Sequence, residues 1–90
     1  MAVTFSGRQV IIGVTDTSAT RTITLATALM NDSPDARLVV VKDEGGQAGS
    51  NTVTIATEGS ETIDGSATAT ITSNYGATRL YSNGSNWFTF

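Results

Sequence analysis

The sequence predicts a small all-β domain, built as an antiparallel β-sandwich or barrel. Short runs rich in Val, Ile and Thr recur along the chain, and such side chains suit a pleated, half-buried surface. Turn signals separate these runs roughly every 8 to 12 residues, the spacing of sandwiches and barrels. Two of them, Asp64-Gly65 and Asn83-Gly84, have the composition of type I′ turns, in which both central residues take positive φ.

The N-terminal part contains an arm and two predicted strands. Residues 1–8 form a weakly patterned arm whose only large apolar side chain is Phe5. Residues 10–14 are a continuous apolar run, which suits a buried strand. Residues 16–20 form a polar turn, and residues 21–25 alternate polar and apolar side chains, which predicts a second strand.

The remaining strands follow an uncertain connection. Residues 26–36 are predicted to be a loop with one helical turn, because Pro34 biases the residue before it away from helical angles. Residues 37–42 are the longest β-branched run and predict a strand covered on both faces. Gly45, Gly46 and Gly49 give the next loop conformations closed to other residues. The other predicted strands are residues 52–56, 68–72, 78–82 and 86–90, with a short extra strand at residues 61–63.

Length and composition indicate one domain that associates. Residues 1–14 are expected to be the arm and first strand, and residues 15–90 a single β-domain. A chain of this size buries only about 60% of the surface that its unfolded form exposes, so disulfides, metals or association often stabilise such domains. The sequence has no cysteine and no histidine, which excludes disulfides and structural zinc. Association remains.

Charge and hydropathy argue against nucleic-acid and membrane partners. The net charge is −3, and the single lysine and the arginines are scattered, whereas phosphate binding needs clustered basic side chains. No apolar run approaches the roughly 20 residues of a membrane-spanning helix. The N-terminus lacks the features of a signal peptide. We therefore expect a chain that is made in a cytoplasm and stays soluble.

No catalytic, cofactor-binding or metal-binding site is predicted, and we expect no enzyme. Without histidine, the base for a hydroxyl nucleophile would have to be Lys42 or a carboxylate. We expect Lys42 to be a solvated strand-end lysine paired with Asp43 or Glu44. A glycosidase needs two carboxylates that face one another, and the available acids fall in loops or at strand ends, where solvated carboxylates are normal. These acids are Asp43, Glu44, Glu58, Glu61 and Asp64.

The order of strands and turns resembles a small all-β module of bacteriophage virion proteins. The segments that carry the resemblance are TITL at 22–25, VVVKD at 39–43, NTVTI at 51–55, ETIDG at 61–65, NYG at 74–76 and LYSNGSNWF at 80–88. Each is an ordinary strand or turn, and only their order and spacing are specific. The module occurs at the ends of tail fibres and as capsid decoration proteins, and it usually assembles as a trimer.

The resemblance implies a virion structural protein, made in the host cytoplasm, and leaves two roles open. A capsid decoration (cement) protein would bind the major capsid protein from outside as a homotrimer, with Val3, Phe5 and Arg8 of the arm on the shell. A tail-fibre tip would recognise a host-surface glycan or protein. Residues 1–14 are too short for a fibre shaft, so we expect decoration. A generic adhesion or toxin-like module would explain the composition but not the ordered motifs.

The trimer interface or core is expected to use the longest apolar strand and the aromatic C-terminus. The residues are Val39, Val40, Val41, Tyr81, Trp87, Phe88 and Phe90. Which of the three valines faces the symmetry axis depends on the register of the strand. Tyr75, Tyr81 and Trp87 are also candidates for stacking sugars, although most aromatics of so small a domain should serve its core or interface.

Overall fold

A computed structural model describes residues 9–26 and 38–90, which form seven β-strands and no helix. The strands are β1 (Gln9–Val14), β2 (Arg21–Leu25), β3 (Leu38–Asp43), β4 (Val53–Thr57), β5 (Thr68–Ile71), β6 (Ala77–Ser82) and β7 (Trp87–Thr89). The all-β class is confirmed, and each strand lies within one residue of its predicted ends. The predicted arm and nearly all of the loop at residues 26–36 lie outside the described residues.

The strands form two mixed sheets, one of four strands in the order β1-β3-β6-β7 and one of three in the order β2-β4-β5. Three pairs, β3–β6, β4–β5 and β6–β7, are antiparallel. The pairs β1–β3 and β2–β4 are parallel, so the expectation of a wholly antiparallel architecture is corrected. The reason is the path of the chain, which visits the other sheet between β1 and β3, and again between β2 and β4. It therefore returns to each sheet running in the same direction.

The core lies between the two sheets and is built from alternate residues of their strands. In β3 the burial alternates strictly, with Val39, Val41 and Asp43 buried and the residues between them half-buried. The expectation that this strand is covered on both faces is therefore corrected, because its outer face is covered only in part. The buried apolar residues of the described chain are Val14, Leu25, Val39, Val41, Ala48, Val53, Ile55, Ile63, Ile71, Leu80 and Trp87.

The two Gly-containing turns differ from one another. Asp64 and Gly65 have φ values of 50° and 84°, and Ile63 and Ser66 exchange both backbone hydrogen bonds, at 2.6 and 2.9 Å. The predicted type I′ turn at Asp64-Gly65 is therefore confirmed. In the second turn only Gly84 has positive φ, 94°, so a type I′ turn at Asn83-Gly84 was a wrong prediction.

The loop at residues 83–86 is wider because the side chain of Asn83 organises it. The Asn83 amide donates to the carbonyl oxygen of Asn86 over 3.1 Å. Its side-chain oxygen accepts the backbone N–H groups of Ser85 and Asn86, at 3.0 and 2.9 Å. An asparagine side chain that accepts backbone N–H groups ahead of it in this way replaces part of the backbone pattern of a tight turn.

A short segment covers the outer edge of β7. The Trp87 amide donates to the Thr62 carbonyl over 2.8 Å, and the Asp64 amide donates to the Trp87 carbonyl over 3.0 Å. The predicted extra strand at residues 61–63 is thus reduced to one bridge residue, Ile63, which pairs with Trp87. Covering an edge strand in this way removes a site for unwanted strand pairing. Among the described residues, no helix is long and apolar enough to cross a membrane.

Candidate functional site

The strand register separates the predicted interface residues into two groups. Val39, Val41 and Trp87 point between the sheets, and none of the three exposes any surface. They are core residues of a single subunit and cannot face a neighbouring subunit without unfolding. Val40 pairs with Arg79 and points the opposite way. The side chain of Val40 is only half-buried, so it is the valine that is available for contact with another molecule.

On the outer face of the four-stranded sheet, two adjacent rows of side chains form what we call the assembly surface, and a third row of Gly13, Lys42 and Ala77 lies beside them. One row runs across the sheet through Ile11, Val40, Arg79 and Phe90. The other runs through Leu38, Tyr81 and Phe88. Ile11 and Phe90 are 71% and 55% exposed, so large apolar groups stand open at both ends of the first row. Large apolar side chains exposed on one sheet face, here on either side of Val40 and Arg79, are a feature of interaction sites.

The aromatic residues of the assembly surface are in contact before any partner binds. The ring centroids of Tyr81 and Phe88 are 5.5 Å apart and stacked, and those of Tyr81 and Phe90 are 5.9 Å apart and tilted. The Arg79 guanidinium lies over the Phe90 ring, 5.2 Å from its centroid, within the range of a cation–π interaction. Rings held by one another lose little conformational entropy on binding, which favours their use at an interface.

The outer face of the three-stranded sheet has the opposite character. By register and alternation, its outward residues are Thr22, Thr24, Thr54, Ala56, Thr68 and Thr70. This face carries hydroxyl groups and no large apolar side chain, as suits a sheet that faces water. The apolar outer face therefore belongs to the four-stranded sheet and the polar outer face to the three-stranded sheet. The sequence had named Val40, Tyr81, Phe88, Phe90 and the strand that begins at Leu38, and the register now places Ile11 and Arg79 beside them.

A second feature, which we call the loop junction, is built around Asp43 at one end of the molecule. The junction contains Thr17, residues 43–51 and residues 73–76. The carboxylate of Asp43 has no exposed surface. It accepts the backbone N–H groups of Gly46 and Ala48, each at 2.9 Å, and that of Tyr75 at 3.1 Å. One side chain therefore ties together two loops that are far apart in sequence.

Thr17 completes the loop junction from a third segment. Its hydroxyl oxygen accepts the Gln47 amide over 3.1 Å, and its carbonyl accepts the side-chain amide of Asn51 over 2.8 Å. Burial alone raises the pKa of Asp43. Hydrogen bonds from the Ala48, Gly46 and Tyr75 amides and the Thr17 hydroxyl oppose this effect, and the net pKa is lowered from the ordinary value. The carboxylate is thus kept ionised by backbone donors.

These contacts correct two expectations about charged residues. Asp43 is a buried structural carboxylate and not a solvated acid. Lys42 does not pair with Asp43 or Glu44, since its ammonium group donates to the carbonyl oxygen of Tyr75. The cause is the turn at residues 73–76, which folds over the end of β3 and offers both a carbonyl and an N–H group there. An aspartate followed by two glycines within three residues was the available signal, because short loops of this type often close on an Asp side chain.

The other sequence candidates are dispersed. Tyr75 lies in the loop junction and is 61% exposed, so it belongs neither to the core nor to the assembly surface. Asp64 bonds to Thr89, accepting its amide over 3.1 Å and its hydroxyl. It lines an open cleft of about 380 Å³ with Arg79, Thr78 and Phe90. No cluster of three acids, cysteines or histidines occurs among the described residues. Val3, Phe5 and Arg8 of the arm lie outside those residues.

Comparison of the chain with protein-family models, with curated proteins and with solved structures gave no match.

Proposed function

We propose that the chain is a virion structural protein, a capsid decoration protein that binds the outside of a phage shell as a homotrimer and stabilises it. The observation that carries this proposal is the assembly surface. A 90-residue chain that leaves Ile11 and Phe90 open on one sheet face gains stability by covering that face with further copies of itself. The order of strand and turn motifs adds the resemblance to phage virion modules.

The mechanism is adhesion without chemistry. A homotrimer presents three equal contacts to the major capsid protein, and a three-fold arrangement can place them around a three-fold position of the shell. Each contact is modest, but the second and third form at high effective concentration once the first has formed. Bridging several shell subunits then opposes their separation. The N-terminal arm, with Val3, Phe5 and Arg8, is the proposed segment for contact with the shell.

Copy number per particle tests this proposal. Virions of the phage that encodes the chain are purified, and the chain is quantified by mass spectrometry against the major capsid protein. Hundreds of copies in fixed ratio to the shell protein are expected. A few copies per particle would contradict decoration and place the chain on the tail. Its absence from particles would contradict any virion role.

One observation favours a second function, the tip of a tail fibre. The Tyr75 side chain is 61% exposed and is fixed by the loop junction, as a recognition residue would be. A fibre tip would use it to bind a host-surface glycan or protein. Adsorption of phage to host cells distinguishes the two functions, because purified chain should block adsorption if it is the fibre tip, whereas a decoration protein should leave adsorption unchanged even where it binds the cell surface.

A further inference from the structure

The backbone of Tyr75 holds a conformation that a bulky residue rarely adopts. Its φ is 59°, in the left-handed region where a side chain is strained. Such a residue persists only where its surroundings enforce the conformation, and such positions are often functional. The side chain is at the same time one of the most exposed large groups of the described chain, at 61%. Strain is therefore maintained at a residue whose ring adds little to the core.

Both peptide groups of Tyr75 are bound by the end of β3. The Tyr75 N–H donates to a carboxylate oxygen of Asp43 over 3.1 Å, and its carbonyl accepts the Lys42 ammonium. The next residue is held as well, because the Gly76 carbonyl accepts the Asp43 amide over 2.9 Å. Lys42 and Asp43, which are consecutive residues of β3, therefore hold the backbone on both sides of Tyr75 and fix the position of its Cα.

The ring itself rests on the backbone of Gly46. A Cβ atom placed on Gly46 would lie closest to Cζ of Tyr75, and 2.6 and 2.7 Å from Oη and Cε2. This Cβ position is nearest to Cζ and almost equally far from two atoms that are bonded to Cζ. It therefore lies above the plane of the ring and not beyond its edge. Gly46 therefore lies against the hydroxyl end of one ring face, and most of the Tyr75 surface remains exposed.

The same carboxylate positions the support. The Gly46 amide donates to the other oxygen of Asp43 over 2.9 Å, and Gly46 has a φ of 79°, so a glycine is required there both for its backbone and for the room it leaves. Asp43 thus fixes the ring through the Tyr75 backbone and the surface beneath it through Gly46. The result is a flat aromatic platform with little freedom to lose on binding.

Exposed neutral polar residues lie near Tyr75 and Gly46 in the sequence, and the Lys42 ammonium binds the Tyr75 carbonyl beside them. Gln47, Asn74 and Ser50 are exposed, and Asn74 is anchored because its side-chain oxygen accepts the Gly49 amide over 2.8 Å. Its side-chain NH₂ group is left as a donor. Among the described residues, the other exposed large apolar side chains are Ile11 and Phe90, and both belong to the assembly surface. A protein hot spot lies in a well-packed pocket whose rim excludes water, whereas the Tyr75 side chain is largely exposed.

We infer that the open face of Tyr75 is a stacking site for a neutral carbohydrate. The C–H face of a pyranose ring packs on the negative face of an aromatic ring, and the neighbouring amide and hydroxyl groups bond to its hydroxyl groups. The site needs neither trimer formation nor the capsid, so it goes beyond the proposed decoration and would serve a particle that meets a glycan-coated cell. It also names the ligand class of the fibre-tip alternative.

The test is an NMR titration of the full chain with neutral hexasaccharides of glucose, N-acetylglucosamine, mannose and galactose. At least one is expected to shift the Tyr75, Gly46 and Asn74 amide signals at roughly millimolar concentration. Tyr75→Phe should bind within about threefold of the parent, because the ring face remains. Tyr75→Asn should bind at least about tenfold more weakly, while its melting temperature is kept or raised, since asparagine tolerates positive φ.

Phe90→Asn is the matched control, because it removes an exposed aromatic ring from the assembly surface. It should leave the carbohydrate response unchanged and weaken self-association, so failure of the site and failure of the proposed assembly can be told apart. Equal binding by Tyr75→Asn and the parent would overturn the inference. The absence of any shift with all four hexasaccharides at about 10 mM would also overturn it. This holds even if Tyr75 proves to bind a host protein.

Discussion

The carboxylate of Asp43 and the backbone amide of Tyr75 are 32 positions apart in the sequence and 3.1 Å apart in the fold. This hydrogen bond joins the end of β3 to the turn that precedes β6. The same carboxylate binds two further amides in the loop that follows β3. A buried acid is stable in this setting because three backbone amides and the Thr17 hydroxyl donate to it, so its charge is compensated without a basic side chain.

Replacing Asp43 with asparagine should destabilise the fold strongly at neutral pH. The amide has one acceptor oxygen where the carboxylate has two, and its NH₂ group would face backbone N–H groups. We expect the melting temperature to fall by roughly 5 °C or more. Asp16→Asn is the control, since Asp16 forms an exposed pair with Arg21, 2.9 Å away, and exposed pairs contribute little. Equal small effects of both variants in thermal melts would contradict the central role of Asp43.

Acid should remove the contribution of Asp43 to stability. Its pKa in the folded chain lies below the ordinary value of 3.8, so below pH 3.8 the unfolded chain binds more protons than the folded one. The stability that Asp43 provides is therefore complete above this pH, and it is lost as the pH falls through the lowered folded pKa. Urea unfolding of the parent and of Asp43→Asn should give free energies that converge in acid. A difference between the two chains that does not depend on pH would contradict the shift.

Neighbouring valines of β3 should respond in opposite ways to the same substitution. Val41→Thr places a hydroxyl in the core, where no polar partner is provided, and should lower the free energy of unfolding by about 1–3 kcal/mol. Val40→Thr changes the half-buried outer face and should stay within about 0.5 kcal/mol. Urea unfolding at low protein concentration measures both. The reverse order would mean that the register of β3 is shifted by one residue.

Self-association should depend on Val40 and not on the opposite sheet. Val40→Glu charges the middle of the assembly surface, while Arg79 on the paired strand offers the new carboxylate a partner, so the subunit should still fold. We expect a shift from trimer to monomer in sedimentation velocity. Thr54→Glu, on the outer face of the three-stranded sheet, should leave the trimer intact. A trimer that survives Val40→Glu would exclude this face, and loss of the trimer only in Thr54→Glu would move the interface to the other sheet.

The sequence predicted the strands well and the partners of the buried acid poorly. Val39, Val40 and Val41 identify a strand wherever they occur, because β-branched side chains suit only a few backbone conformations. The residue pattern of one strand does not show whether its neighbour in the sheet runs parallel or antiparallel to it. The parallel pairing of β1 with β3 could therefore not be predicted from the sequence. The burial of Asp43 depends on backbone donors, which every residue possesses. The sequence around Tyr75 contains no signal that marks its backbone amide as a hydrogen-bond donor to Asp43.

The parallel pairs also bear on how the chain reaches its fold. β1 pairs with β3, and β2 with β4, across an intervening strand that lies in the opposite sheet, and β3 pairs also with β6, which is far along the chain. Only β4–β5 and β6–β7 join strands that follow one another along the chain. Contacts that close such long loops slow folding, and domains dominated by them fold in roughly milliseconds to seconds. During that interval the unpaired edge of β3, rich in valine, is open to other nascent chains.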